Sequence, residues 1–494
     1  MKPYLIGIDI GTTGTKTIVL HVERGIVAQA SRASALHSDG PGFAEADPSA
    51  WYGNVVGSIR EVVAAAGISA REVGAIATSG MVPAVIPVDA TGQPLRRAML
   101  QNDARANAEI QHVAGAVAGD DVVSITGSGV TQQSVGPKAL WLRRNEPEVW
   151  ARTAYLVGSY DWVLMALGAA PHVELNWAVE SGLFTLDGGL FEPALQASDL
   201  KASQLPPVLA PGTRAGELST EAAEATGLVA GIPLVVGGAD HVLSAFAAGV
   251  ESEGDWLIKL GGAGDILVAS GTARVDPRLY LDAHPVPDLW LPNGCMATSG
   301  SLIRWYQSLI GGPGLGQLDV EAAERPPAEV LCLPYFLGEK SPLHDVDLRG
   351  AFVGLHLGHT RTDVYRSVLE GIAFGFRHHA EIFREIGVSL TTAMVTNGGS
   401  KSTLWKQIHA DVLDTELHPV VDHPGASLGA ALVAGVGTGA LESWSDAKRF
   451  LVLGDPVVPD PALRERYDHA YQQWRALGDA VTPISHALAR RRES

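Results

Sequence analysis

Residues 4–20 read Tyr4-Leu-Ile-Gly-Ile-Asp-Ile-Gly-Thr-Thr-Gly-Thr-Lys-Thr-Ile-Val-Leu20. Two apolar runs, Leu5–Ile10 and Thr17–Leu20, flank a short Gly/Thr tract, the pattern of a β-hairpin. At its tip Gly11 and Gly14 free the backbone N–H groups to face a ligand, Thr12, Thr13 and Thr15 add hydroxyls, and Lys16 adds a cation. Such donors can cradle a polyphosphate without a helix N-terminus. Asp9 ends the first strand, and a carboxylate beside phosphate-binding donors repels the ligand unless a cation lies between them. Asp9 is therefore expected to act on Mg²⁺ through water. The same residues also suit an ordinary glycine-rich turn.

The pattern recurs 250 residues later. Trp256–Leu260 reads as a strand, Gly261-Gly-Ala-Gly264 as a glycine turn and Asp265–Val268 as a second strand. Two such hairpins predict a duplicated fold with one phosphate loop from each half. Strand-like and helical runs alternate throughout, which predicts an α/β chain. Strands are expected at Ile26–Ala30, Ala75–Thr78 and Ala84–Val88, and a helix at Trp51–Ala66. The run Leu234-Val-Val236 enters Gly237-Gly-Ala-Asp240, where a helix is expected to begin. An Asp there can be an N-cap or a functional carboxylate at a strand-to-helix turn. The division between halves is placed at residues 245–253, giving domains 1–248 and 249–494. Pro206–Gly216 is expected to be a surface loop. The series Leu463, Tyr467, Tyr471, Trp474 predicts the packing face of a helix.

A chain of 494 residues exceeds one core. A net charge of −18 argues against nucleic acid, which needs clustered Lys and Arg. The basic run Arg490-Arg-Arg492 is expected to be a solvated helix end. Cys295 and Cys332 show no metal or disulfide spacing and are expected to be reduced core residues. Without a signal peptide or an apolar run near 18 residues, the chain is expected to be cytoplasmic.

The second half also carries Leu333-Pro-Tyr-Phe-Leu-Gly-Glu-Lys-Ser-Pro342, Arg349-Gly-Ala-Phe-Val-Gly-Leu355 and Asp363-Val-Tyr-Arg-Ser-Val-Leu-Glu-Gly-Ile-Ala-Phe374. With Asn397–Trp405 and Gly425–Ala431, this combination resembles the FGGY family of carbohydrate kinases. A looser N-terminal match surrounds Lys138-Ala-Leu-Trp-Leu142 and Pro147, with Val135 and Ala139 departing from the family pattern. The resemblance implies two actin-like (ribonuclease H-like) domains with the active site in the cleft between them, sugar lying mainly against the first and ATP against the second. Phosphoryl transfer to a sugar hydroxyl needs a proton acceptor, charge stabilisation and exclusion of water.

The resemblance implies Asp240 as general base. It places Thr12, Thr13 and Lys16 on one side of the ATP phosphates, and Gly261, Gly262 and Gly264 on the other. The family often has Gly-Thr-Ser-Gly in the second turn, so Gly262 and Ala263 offer backbone donors alone. Gly300 and Arg304 fall in the helix bordering the nucleotide, and Gly398, Gly399 and Thr403 flank adenine and ribose. Sugar recognition is expected from Met81 and Val82, in a loop where the family's xylulokinases carry Met-His, and from Asp103, a carboxylate suited to a diol. Gln101 stands where those kinases usually carry Trp. His241 can reach the substrate or cap its helix. The implied activity is ATP- and Mg²⁺-dependent phosphorylation of a small ketose, foremost a pentulose such as D-xylulose, with other ketoses and polyols, or a non-catalytic actin-like ATPase, as alternatives. The expected partner is a small-molecule sugar, with no nucleic acid and no membrane, and a homodimer is compatible with the sequence.

Overall fold

In the computed structural model of the chain, which describes residues 2–490, two six-stranded sheets share a five-strand order and differ in which edge carries the sixth strand. The first sheet contains β1 (Tyr4–Gly11), β2 (Gly14–His21), β3 (Gly25–Ala33), β4 (Val73–Gly80), β5 (Arg214–Glu217) and β6 (Pro233–Ala239), ordered β3-β2-β1-β4-β6-β5. The second contains β7 (Trp256–Leu260), β8 (Gly264–Val268), β9 (Tyr280–Ala283), β10 (Trp290–Met296), β11 (Ala393–Thr396) and β12 (Leu417–Pro419), ordered β9-β10-β8-β7-β11-β12. In each sheet the hairpin is antiparallel, and its first strand pairs in parallel with a strand from much later in the chain. Directions also agree at β3 and β10, and at β6 and β12. The duplication foreseen from the two hairpins thus extends to five strands of each half, the two-domain ribonuclease H-like arrangement.

Four helices carry most of the argument that follows. They are α1 (Pro48–Ala66), α2 (Leu175–Ser181), α3 (Asp240–Ala247) and α4 (Gly300–Leu309). The apolar face of α1, with Trp51, Val55, Ile59 and Val62 buried, covers the first sheet. The long helix α5 (Arg361–Glu385) and helix α6 (Thr403–Leu413) cover the second. Helix α7 (Ala426–Gly437) belongs to the second half by sequence but buries Leu428, Ala431 and Leu432 with Leu5, Ile18 and Val235 of the first sheet, and with Leu243 and Phe246 of α3. Small residues let it approach: a Cβ on Gly429 would lie 2.2 Å from the Leu243 carbonyl oxygen. The halves are therefore joined through α3 and α7 as well as by the connector after Ala247.

Helix α8 (Arg464–Arg490) buries Tyr467, Tyr471 and Trp474 beside Phe374, as the spacing predicts, with Leu463 partly buried just before it. Arg491 and Arg492 of the terminal basic run lie outside the described residues. Cys332 is buried but Cys295 is only partly so, facing Lys340 at 3.8 Å. Pro206–Gly216 is more ordered than a surface loop: Val208–Leu209 pair with Val173–Glu174, and Arg214 begins β5. Its Pro and Gly suggested a loop, yet Gly212 packs against Gly437 of α7 and holds the segment down. Among the described residues no helix is long and apolar enough to cross a membrane.

Candidate active site

The parallel strands β4 and β6 run beside β1, so their C-terminal ends gather with Asp9. Ladder pairing places Ser79 beside Asp9, and Gly238 beside Ser79. Two residues beyond Gly238 the chain turns into α3, and Asp240 is its first residue. The strand-to-helix turn read from the sequence is therefore present, with Ala239 rather than Asp240 at the N-cap. The Asp240 carboxylate is 41% exposed, and its Oδ1 accepts from the His241 backbone N–H at 2.6 Å.

Each hairpin presents an acid and a lysine across its two strands, in opposite order. Asp9 of β1 faces Lys16 of β2, whereas Lys259 of β7 faces Asp265 of β8. Lys259 Nζ lies 3.2 Å from Asp265 Oδ2 and is largely buried. Burial opposes its charge, but Asp265 and Asp240 outweigh burial and raise its pKa. Sequence reading passed over Lys259. Lys259 stands two residues before Gly261 as Asp9 stands two before Gly11, with Asp265 paired across from it as Lys16 is paired across from Asp9. Lys16 reaches the other half, where its ammonium donates to the Pro424 carbonyl at 2.9 Å.

Asp9 Oδ1 is buried without a hydrogen-bond partner. Burial, and then Asp240, push the Asp9 carboxyl up to about 7, while Lys16 and Lys259 partly offset them. A desolvated, unpaired carboxylate of this kind suits a cation. Other buried polar atoms without partners line the same strand ends: Ser79 Oγ beside Asp9, Thr396 Oγ1 beside Lys259 and Ser299 Oγ ahead of α4. Buried polar atoms are normally paired, so this gathering marks a place where a polar ligand supplies the partners.

On the second half, α4 is seated on the hairpin tip. Ser299 and Ser301 donate their N–H groups to the Gly262 carbonyl at 2.9 and 3.0 Å, and Gly300 donates to the Gly261 carbonyl at 2.8 Å. Because a trans peptide points its C=O and following N–H in opposite directions, the N–H groups of Gly262 and Ala263 face away from this helix. A Cβ at Gly300 would lie 2.6 Å from the Gly261 carbonyl oxygen, whereas one at Gly262 or Gly398 would meet nothing within 4 Å. Gly264 and Gly399 are needed for packing, against Phe376 and the Trp405 ring. Arg304 and Thr403 are exposed, on α4 and at the start of α6, while Thr12 and Thr13 form the first tip. Thr12 Oγ1 lies 3.9 Å from Met81 Sδ.

The expected sugar residues are placed unequally. Met81 and Val82 are buried in the first core, 2% and 6% exposed. Asp103 is buried and fully engaged: Oδ1 accepts from Arg105 N–H and Nε, and Oδ2 from Ala44 N–H and Arg105 Nη2. Four donors fill the four lone-pair positions of a carboxylate, so Asp103 anchors its loop and has no acceptor site left for a diol. Arg105 in turn lies over the Phe43 ring at 3.6 Å. Within that anchored loop the unpartnered group is Gln101, whose own carbonyl is 3.5 Å from the buried Lys138 ammonium. Burial pulls the Lys138 pKa down to about 7, against the attraction of Asp103. Trp177 is core, donating its Nε1–H to the Ala84 carbonyl at 2.8 Å. His241 joins the two halves through Asp282 on β9, at 2.7 Å.

Two duplicated domains, each offering a glycine tip with one lysine and one acid, and a carboxylate at the turn between them in sequence, define a phosphotransferase of the actin-like class. Comparison with known proteins fixes the family. Residues 4–247 match the FGGY family of carbohydrate kinases, N-terminal domain, and residues 267–438 match its C-terminal domain. The chain belongs to this family and is a sugar kinase. It is 27% identical over 492 residues to a xylulose kinase of Bacillus subtilis, covering 98% of both chains. The crystal structure of xylulose kinase from Rhodospirillum rubrum superposes with a TM-score of 0.92 at 41% identity, covering 98% of this chain and 100% of that one. An L-xylulose/3-keto-L-gulonate kinase of Escherichia coli is 27% identical, with 97% of each chain covered. Carbohydrate kinases of this family use ATP and a divalent metal.

Proposed function

We propose that the chain phosphorylates a pentulose, foremost D-xylulose, at the expense of ATP, with Asp240 as the general base. The observation that carries the reading is Asp240 at the β6–α3 turn, beside Asp9 and between the two phosphate-directed hairpins. The substrate assignment is supported by xylulose kinases among relatives that match nearly the whole chain. In the step, the sugar hydroxyl oxygen attacks the γ-phosphorus as its proton passes to Asp240. The bond from the γ-phosphorus to the β–γ bridging oxygen breaks, and ADP leaves with that oxygen. Mg²⁺, when bound with the nucleotide, neutralises charge on the phosphate oxygens.

Asp9 would hold that cation through water, and its buried, unpartnered Oδ1 fits the role. Thr12, Thr13 and Lys16 serve the phosphates from the first hairpin. The tip Gly261–Gly264 serves them from the second, through the N–H groups of Gly262 and Ala263 that turn away from α4, and Lys259 there replaces the hydroxyls that Gly262 and Ala263 lack. Gly300 and Arg304, and Gly398, Gly399 and Thr403, border the rest of the nucleotide. Gln101 Oε1 is the acceptor we assign to a sugar hydroxyl, with Met81 and Val82 shaping the wall behind it. Asp240→Asn tests the reading. Sugar-dependent ADP formation should fall by about 10²–10⁴ while ATP binding is kept, and retention of more than about a tenth of the wild-type rate would contradict the base assignment.

A further inference from the structure

Beside the base, His241 is held from the opposite domain. Its Nε2–H donates to Asp282 Oδ2 at 2.7 Å, and its Nδ1 lies 3.3 Å from Asp240 Oδ1. His241 and Asp240 open α3 of the first half, whereas Asp282 stands on β9 of the second. Asp282 is itself fixed, because Asn293 Nδ2 donates to the same Oδ2 at 2.7 Å. The next residue, Ala283, is gripped across the cleft by Asn176 of α2, which accepts from its N–H at 2.7 Å and donates to its carbonyl at 3.1 Å.

A neutral imidazole has one donor and one acceptor, but here a carboxylate faces each nitrogen. The arrangement calls for the imidazolium. Burial favours the neutral ring, yet Asp282, Asp240 and Glu180 of α2 together hold the His241 pKa well above its usual value. Asp265 of β8 also faces the ring. The Glu180 carboxyl is also raised, by burial and then by Asp282, which in an acid favours the neutral form. The partner of His241 on the far side is Asp282, whose Oδ2 meets Nε2 at 2.7 Å.

We propose that Asp282 and His241 form a positioning relay that orients the Asp240 carboxylate from the opposite domain, so that the base is aligned only when the cleft is closed. The relay rests on the reading of Asp240 as base. Both His241 contacts fall on Asp240 Oδ1, one from the backbone N–H and one from the ring, which leaves Oδ2 to take the hydroxyl proton. His241 keeps both of its protons throughout, and the proton of the sugar hydroxyl ends on Asp240. Opening the cleft withdraws β9, removes the anion from Nε2 and frees the ring. Hydrolysis of ATP without sugar is thereby disfavoured, because the base is misaligned in the open state.

Asp282→Asn, His241→Gln and Asp240→Asn are compared in kcat, sugar KM, melting temperature and the pH profile of kcat. Losing orientation at the base should lower kcat in Asp282→Asn and His241→Gln by about 10²-fold with sugar KM little changed. In Asp282→Asn the freed imidazole should return toward its ordinary pKa of about 6.5. Its kcat should then fall as pH rises through that value, a limb that wild type lacks there because its His241 pKa is raised, and that His241→Gln abolishes. If Asp282→Asn keeps kcat within about twofold and an unchanged profile while Asp240→Asn is inactive, the relay is refuted and the base stands. An active Asp240→Asn would instead refute the base. Should Asp282→Asn fail to fold, His241→Gln decides: a kcat loss at constant sugar KM supports the relay, and a loss confined to KM overturns it.

Discussion

Replacing Lys259 by Met removes the cation of the second hairpin. Its ammonium lies 3.2 Å from Asp265 and close enough to Asp9 to help hold that carboxyl down. Two unit charges 4 Å apart interact by about 4 kcal/mol at an effective dielectric of about 20. One preorganised donor aimed at developing charge is worth about 10²–10³ in kcat. Lys259→Met should therefore lose about 10²-fold in kcat/KM for ATP at saturating sugar, measured by coupled ADP release. The same change strands Asp265, which would cost about 3–5 kcal/mol of stability if fully buried. Asp265 is 30% exposed at its side chain, so the cost is expected below that range. Adding Asp265→Asn separates the two effects. The double variant should recover the melting temperature but not the activity. Recovery of activity to within tenfold of wild type would mean that Lys259 serves only to pair Asp265, and the phosphate role would fall.

Four further outcomes follow from the geometry. Gly262→Ala meets no atom within 4 Å, so it should leave the melting temperature unchanged while raising KM for ATP, whereas Gly300→Ala, with its Cβ 2.6 Å from the Gly261 carbonyl, should lower both stability and ATP affinity. Gln101→Ala should raise sugar KM by about tenfold, as loss of one hydrogen bond of about 1.5 kcal/mol would do, without changing KM for ATP. Val82→His, which introduces the xylulokinase residue, inserts a polar ring at a buried core position and should destabilise by about 1–3 kcal/mol, read from urea midpoints. Burial lowers the His409 pKa to about 4, so its neutral form is kept in the fold while the unfolded chain protonates near 6.5. Stability is then lost as pH falls below about 6.5. His409 should account for about 1 kcal/mol of the loss between pH 7.5 and 5.5, and that part should vanish in His409→Gln.

The two hairpins and the turn at Asp240 were legible because each is local: alternating apolar runs, glycines and a carboxylate lie within a few residues. Lys259 was legible in principle but required comparing the hairpins position by position. Asp282, Asn176 and Glu180 carry no local signal, since their meaning comes from strands and helices far apart in sequence that meet across the cleft. Asp103 shows the converse. Its residue type suited a diol, but Arg105 and Ala44 take up its lone pairs, a fact fixed by folding. Likewise α7 follows the second sheet in sequence but packs on the first, because its Gly- and Ala-rich face fits closely against Leu243 and Phe246 of α3.

The most direct measurement is ADP release by the wild-type enzyme with ATP and Mg²⁺ across a panel of pentuloses, tetruloses, hexuloses and polyols. D-Xylulose should give the highest kcat/KM, with the other ketoses lower and glycerol lowest. Absence of sugar-dependent ADP release across the whole panel, or a preference for a polyol over every pentulose, would contradict the assignment of this cleft to a pentulose kinase.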